Sequence, residues 1–374
     1  MSITKTNKKK NGLQGYRVRV SWTDSKGNHR VERAAYGLEE AKRLEMALQS
    51  EHNSTTQGTR ITFNELIPLY LEEKKYKVRE TSLDREEKKI KLFITPFFGD
   101  MQVRKVTIKE LTEWKMSIEK EDYSLNYKKD MYKHLRSIFR YAVNMDYIYI
   151  NPMDRLENFK DAYEEQTNID FYTTDEFKAF KKAMDDRLFN VKQQEQLREL
   201  TFYAFFITLF YSGARKGELL ALTWNDYDGD SINITKSLTQ KLKGEDRVTP
   251  PKNKSSNRKV KLPSPNKEVL NGLKKAYKSI PNFNDDMFIF GGQRCIRDTS
   301  ISNYNIEVSK MAKIKHIRIH DFRHSHASAL AHAGVNIQEI AHRLGHSNVN
   351  ITWNTYSHLY PSAEDIAVNV LNKI

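Results

Sequence analysis

Between Glu199 and Arg215 the chain runs "LTFYAFFITLFYSGA" without a single charge, in a protein where 29% of residues are charged. The stretch falls short of the roughly 18 to 20 apolar residues needed to cross a bilayer, and it carries hydroxyls. It therefore predicts a helix apolar on every side, which other elements must wrap. At 374 residues the chain is long enough to supply that wrapping and to form two or three domains. The polar, basic start "MSITKTNKKKNG" has no apolar segment behind it, so no signal peptide is expected. Cys295 is the only cysteine, which excludes an internal disulfide and a cysteine-based zinc site and fits a reducing interior. The expectation is a soluble, cytoplasmic protein.

The 62 Lys and Arg outnumber the 48 Asp and Glu, giving a formal charge of +14. That excess speaks to partners rather than fold. Duplex DNA carries about one negative charge per 1.7 Å of axis and attracts such a surface without sequence readout. Residues 1–10 read as a basic tail. "GYRVRVSW" alternates Tyr16, Val18, Val20 and Trp22 with Arg17, Arg19 and Ser21, the period of a half-buried strand. "TDSKGN" is a turn, "HRVERAAY" a second strand, and Ala41, Leu44 and Leu48 form a helical stripe. The strands expose Arg17, Arg19, Arg30 and Arg33; such a face is either solvated or fit to enter a major groove.

"HNSTTQGTR" reads as a linker, after which a helical pattern runs to about residue 160. Thr62-x-x-Glu65 and Thr107-x-x-Glu110 are capping boxes. Pro68 should kink the first of these helices or delay its start. Met131, Leu135, Ile138, Ala142 and Met145 share one helix face, which the Asn151-Pro152 pair should end. A second linker, "YEEQTNID", precedes another capping box at Thr173-x-x-Glu176. The remainder is mainly helical, with strand signals at "SINITKSL", "RVTP" and "RKVKLP" that suggest a small antiparallel sheet.

Four pieces of this last region carry chemistry. Arg215 follows Gly213 at the opening of a helix, where free N–H groups favour an anion. "TPPKNKSSNRKVKLP" is a lysine-rich hairpin. In "HDFRHSHASAL", His320 and Arg323 lie three apart on one helical face. In "LGHSNVNITWNTY", His346 precedes Tyr356 by ten residues. Arginine forks match phosphate oxygens, and a phosphoryl transition state chiefly needs such positioning and neutralisation. Tyrosine can act as a covalent nucleophile, although ionising it at pH 7 costs roughly 4 kcal/mol unless cations help. Taken singly, Arg215 could merely pair with Glu218, Tyr356 and Tyr360 could be core rings, and the histidines could be incidental. His320 and His324 are four apart, but no third ligand or HExxH glutamate accompanies them, so no metal site is expected.

Together and in order, "ARKGELLALTW", the lysine hairpin, "HDFRHSHAS" and "LGHSNVNITWNTYSHL" resemble the tyrosine recombinase family, in its phage and conjugative-element integrase branch. The resemblance implies a multidomain chain: a small N-terminal β-sheet with a helix as an arm-type DNA-binding domain (1–55), an all-α core-binding domain (61–160), and a mainly α catalytic domain with a small antiparallel sheet (168–374). It implies Arg215, His320, Arg323 and His346 as catalytic residues, Tyr356 as the nucleophile and Glu218 as a supporting partner of the arginine box. Lys252 matches the general acid best, with Lys254 close by. Implied too are integration and excision of a mobile element through a 3′-phosphotyrosyl intermediate, with no metal, nucleotide or other cofactor. The partners would be core and arm attachment sites in double-stranded DNA and a homotetramer on that DNA, with an excisionase and a host DNA-bending protein plausible and no membrane. The final segment has Pro361 as a stop, Ser362-x-x-Asp365 as a cap and Ile366, Val370 and Ile374 as an apolar stripe. It reads as a helix packed on its own domain or, following the family, docked on a neighbouring protomer. A chromosome-dimer resolvase would lack the first sheet, and a non-catalytic DNA-binding regulator would have no need of the full catalytic set. A type IB topoisomerase shares the chemistry, but the paired DNA-binding modules fit a site-specific enzyme better.

Overall fold

A computed structural model of the chain describes residues 2–10, 12–24, 27–52, 60–160, 170–240, 246–250 and 256–360, with 368, 371 and 372. Most of both linker segments lies outside these residues, as do Lys252, Lys254 and the residues named above for the final helix. The chain divides into two compact units, 1–165 and 166–374.

The first unit opens with an antiparallel sheet of β1 (Ile3–Lys10), β2 (Leu13–Asp24) and β3 (Gly27–Tyr36), followed by α1 (Leu38–His52). The expected basic tail is thus a strand, with Ile3 opposite Val18 and Lys10 opposite Leu13. Its physical reason is the bare edge of β2: two strands alone are marginal, and a third satisfies that edge while its lysines keep the new edge charged. The β1 register shifts between Lys5 and Lys9, and here Gly15 is required, because a Cβ would sit 2.5 Å from the Lys8 carbonyl oxygen. Tyr16, Val18, Val20, Ala35, Ala41 and Leu48 form the core between sheet and helix. Pairing puts Arg17, Arg19 and Arg30 on the opposite face, where all three approach Glu32; Arg33 pairs with Val18 and belongs to the other face.

Five α-helices follow: α2 (Phe63–Lys75), α3 (Glu80–Lys89), α4 (Thr95–Phe98), α5 (Ile108–Glu119) and α6 (Leu125–Asn144), with a π-helical turn at Ile90–Ile94. The Glu65 and Glu110 carboxylates each accept from the backbone N–H of their capping threonine at 2.8 Å. Pro68 does not delay α2, which starts at Phe63; the capping box and the buried Phe63, Leu66, Ile67 and Tyr70 hold the turn before it. Nor does α6 wait for Pro152. It stops at Asn144, with Met145 exposed and Asp146 at φ 58°, a left-handed residue that ends the helix locally.

In the second unit the uncharged stretch becomes α8 (Gln196–Ser212), lying between α7 (Thr174–Asn190) and the short α9 (Lys216–Leu220) in sequence. Residues Thr201–Phe210 of α8 are all buried, and Phe205 and Phe206 are inaccessible. Among the described residues four short strands make two antiparallel pairs: β4 (Ser231–Ile234) with β7 (Arg258–Lys261), and β5 (Ser237–Thr239) with β6 (Arg247–Thr249). The helices α10 (Ser264–Lys278), α11 (Asp298–Met311), α12 (Asp321–His332), α13 (Ile337–Leu344) and α14 (Val349–Tyr356) follow among the described residues. Among the described residues no helix is long and apolar enough to cross a membrane.

Candidate active site

Two left-handed glycines shape the site from the backbone upward. Gly213 (φ 63°) ends α8 and turns the chain so that Arg215 caps α9. Gly345 (φ 69°) ends α13 and delivers His346 into the turn before α14. Arg323, 3% exposed, ties these turns together: it donates to the Gly213 carbonyl at 2.8 Å and to the Leu344 carbonyl at 2.7 Å. Burial, then the charge of Arg215, depresses Arg323 to about 9, so it remains cationic at neutral pH.

Arg215 is half-buried and pairs with Glu218: its Nη1 lies 2.8 Å from Oε1, and its backbone N–H donates to Oε2 at 2.9 Å. Glu218 is itself buried and also accepts from Arg258 Nη2 at 2.8 Å. Burial alone would raise the Glu218 pKa; the contacts with Arg258 and then Arg215 outweigh it and hold the carboxylate below its ordinary range. Arg258 also donates to the carbonyls of Arg343 at 2.8 Å and Ser256 at 3.1 Å. The pairing read as a bland alternative for Arg215 is therefore present and fixes that side chain in place.

His320 stands at the start of α12, exposed at its outer edge, with partial desolvation and then Arg323 holding it below the usual imidazole range. His346 Nδ1 lies 2.7 Å from the Thr352 hydroxyl; burial and then Arg323 lower it to about 4. Tyr356 ends α14 with 3% exposure. Burial raises its phenol, and Arg323 only partly opposes that rise. Tyr360 is a packing ring whose hydroxyl donates to the Val335 carbonyl at 2.5 Å.

Sequence reasoning missed three members of this arrangement. His324 Nδ1 lies 2.6 Å from the Tyr356 hydroxyl oxygen. His326 accepts from Arg343 Nε at 3.2 Å and packs beneath Gly213, where a Cβ would meet its ring at 2.5 Å. Arg258 links the arginine box to the strand that follows the lysine hairpin. Only the crowding of "RHSH" signalled the histidines, and spacing along one helix does not reveal a partner 32 residues later. The arrangement gathers cationic side chains beside a buried phenol, which suits an anionic ester attacked by tyrosine. Among the described residues, no group of three or more His, Cys, Asp or Glu is placed to hold a metal ion.

Residues 171–363 match the phage integrase family, and residues 62–118 match the phage integrase N-terminal SAM-like domain. The ICEBs1 integrase of Bacillus subtilis (strain 168) is 30% identical over 87% of each chain. A solved structure of the Tn1549 transposon integrase in complex with a circular intermediate DNA superposes with a TM-score of 0.67 at 20% identity, covering 84% of this chain and 100% of that one. A lambda integrase tetramer bound to a Holliday junction gives a TM-score of 0.56 at 16% identity, covering 93% of this chain and 96% of that one. These two structures share the fold.

Proposed function

The chain belongs to the phage integrase family of tyrosine recombinases, and from that premise we propose how its own residues break and rejoin DNA. It is a site-specific recombinase that integrates and excises a mobile element. Tyr356 attacks the scissile phosphorus and forms a 3′-phosphotyrosyl bond. The expelled 5′-oxygen takes a proton from Lys252, which lies with Lys254 outside the described residues. Arg215 and Arg323 neutralise the non-bridging oxygens, His346 adds a hydrogen bond, and His320 assists Arg323 and proton transfer. Glu218 holds Arg215 without touching DNA. A 5′-hydroxyl from the other duplex then attacks the phosphotyrosine and releases the phenol. Bond energy is kept throughout, so the cycle needs no external energy source.

The carrying observation is Arg323: one buried guanidinium binds the turn before Arg215 and the turn before His346, and its charge reaches the Tyr356 phenol. That gathers three separate sequence boxes around one place. The sheet arginines Arg17, Arg19, Arg30 and Arg33 would contact arm DNA, with residues 1–55 as the arm-binding domain, 61–160 as the core-binding domain and 168–374 as the catalytic domain. Strand exchange between two duplexes requires four active sites, so the working form is a homotetramer on DNA, helped by an excisionase and a host DNA-bending protein. A duplex nicked beside the cleavage position tests the chemistry. Wild-type protein should accumulate a covalent adduct and Tyr356→Phe none; equal adduct from both would reject the assignment.

A further inference from the structure

We infer that His324, rather than His320, is the base that takes the phenolic proton of Tyr356 when the nucleophile attacks. The inference deepens the proposal that Tyr356 is the nucleophile and rests on it. His324 Nδ1 stands 2.6 Å from the phenol oxygen, within the reach required of a general base, and the two rings lie 5.8 Å apart at 48°. His320 reaches this pair edge-on through His324, 5.3 Å from ring centre to ring centre, and its partner there is the other imidazole.

The phenol needs a base. Burial keeps it more strongly protonated than a free tyrosine, and the nearby Arg323 does not reverse this. Attack by a preformed phenolate would then start from a vanishing population, so the proton must leave as the P–O bond forms. At neutral pH His324 is uncharged, depressed to about 4 by burial and then by His320, with Arg323 and Arg318 adding to the effect and Asp321 opposing it. In the tautomer that carries its hydrogen on Nε2, Nδ1 presents its lone pair to the phenol and receives the proton. His346, from the turn before α14, is depressed as well, but its Nδ1 lies 2.7 Å from the Thr352 hydroxyl rather than on the phenol. A bound phosphodiester brings negative charge beside Arg215 and Arg323 and offsets the cationic field that weakens His324 as a base.

In the forward step the phenol O–H breaks, its proton moves to His324 Nδ1, the tyrosine oxygen bonds to phosphorus, and the 5′-oxygen leaves with a proton from the general acid. In the reverse step His324 returns its proton to the departing phenol, so protons balance over the cycle. The placement on α12 makes the geometry robust: Ser325 and Arg323, on either side, are both anchored, the first accepting from the Tyr172 backbone N–H at 2.8 Å.

The test is single-turnover adduct formation on a nicked duplex carrying the direct repeat that flanks the integrated element. Wild type, His324→Asn, His324→Gln, Lys252→Ala and Tyr356→Phe are compared from pH 6 to 9, alongside a duplex whose leaving 5′-oxygen is replaced by sulfur. Both His324 variants should bind DNA normally yet form adduct on the order of 100-fold more slowly at pH 7. Their rates should climb with pH as hydroxide replaces the base, while wild type stays flat. The sulfur leaving group needs no proton, so it should rescue Lys252→Ala and leave the His324 variants slow. Wild-type rates in both His324 variants, or their rescue by sulfur, would overturn the assignment of the base. Adduct from Tyr356→Phe would instead overturn the nucleophile on which it rests.

Discussion

Glu218 shows how a residue outside the chemistry can govern it. Its buried carboxylate is shared by Arg215 and Arg258, so Glu218→Gln leaves Arg258 a buried cation without its counter-charge. Breaking such a pair from one side costs about 3 to 5 kcal/mol, and denaturant unfolding should register that loss together with slower adduct formation. Because the folded pKa of Glu218 is depressed, its contribution is present above the unfolded carboxylate value and disappears as pH falls through the folded one. The histidines add a second acid sensitivity at higher pH. His324 and His346 are held at about 4 and His326 at about 3, against about 6.5 in an unfolded chain. The unfolded state therefore binds more protons, and stability should fall as pH drops from about 6.5 toward 4. Thermal melts across that range should show it, with a shallower fall in His326→Gln.

At the scale of elements, the left-handed turn after α8 is the most sensitive joint. Gly213→Ala forces a Cβ to 2.5 Å from the His326 ring at a φ of 63°. The strained backbone alone costs on the order of 1 to 3 kcal/mol, and a chemical-denaturation midpoint should move accordingly. Much at this scale was legible in the sequence. The three capping boxes placed the starts of α2, α5 and α7, as the Glu176 contacts with Thr173 also show. Lack of charge marked α8, and the strand signals foretold β4 to β7. The tail that became β1 was hidden because its lysines mostly face solvent, so only pairing to β2 reveals the strand. The end of α6 was misplaced at Pro152, since a left-handed Asp146 leaves no mark as plain as proline. In the site, arginines and tyrosine stood out by spacing. The contact of His324 with Tyr356 joins two helices through tertiary packing, which periodicity does not encode.

For the whole molecule, the +14 charge and the exposed arginines of the first sheet set the expected response to salt. Arg17, Arg19 and Arg30 share a single Glu32, so among the described residues that face carries more positive than negative charge. Replacing Arg17 and Arg19 by alanine should weaken arm-DNA binding and flatten the dependence of log affinity on log salt by up to roughly 2, as measured by titration at several ionic strengths. An unchanged slope would assign that face to solvent. Above all stands the identity of the atom that joins protein to DNA. Trapping the adduct, digesting both polymers and locating the modified peptide by mass spectrometry reads it directly. The residue carrying the 3′-phosphonucleotide should be Tyr356; its recovery on Tyr360 or on any other side chain would contradict the account.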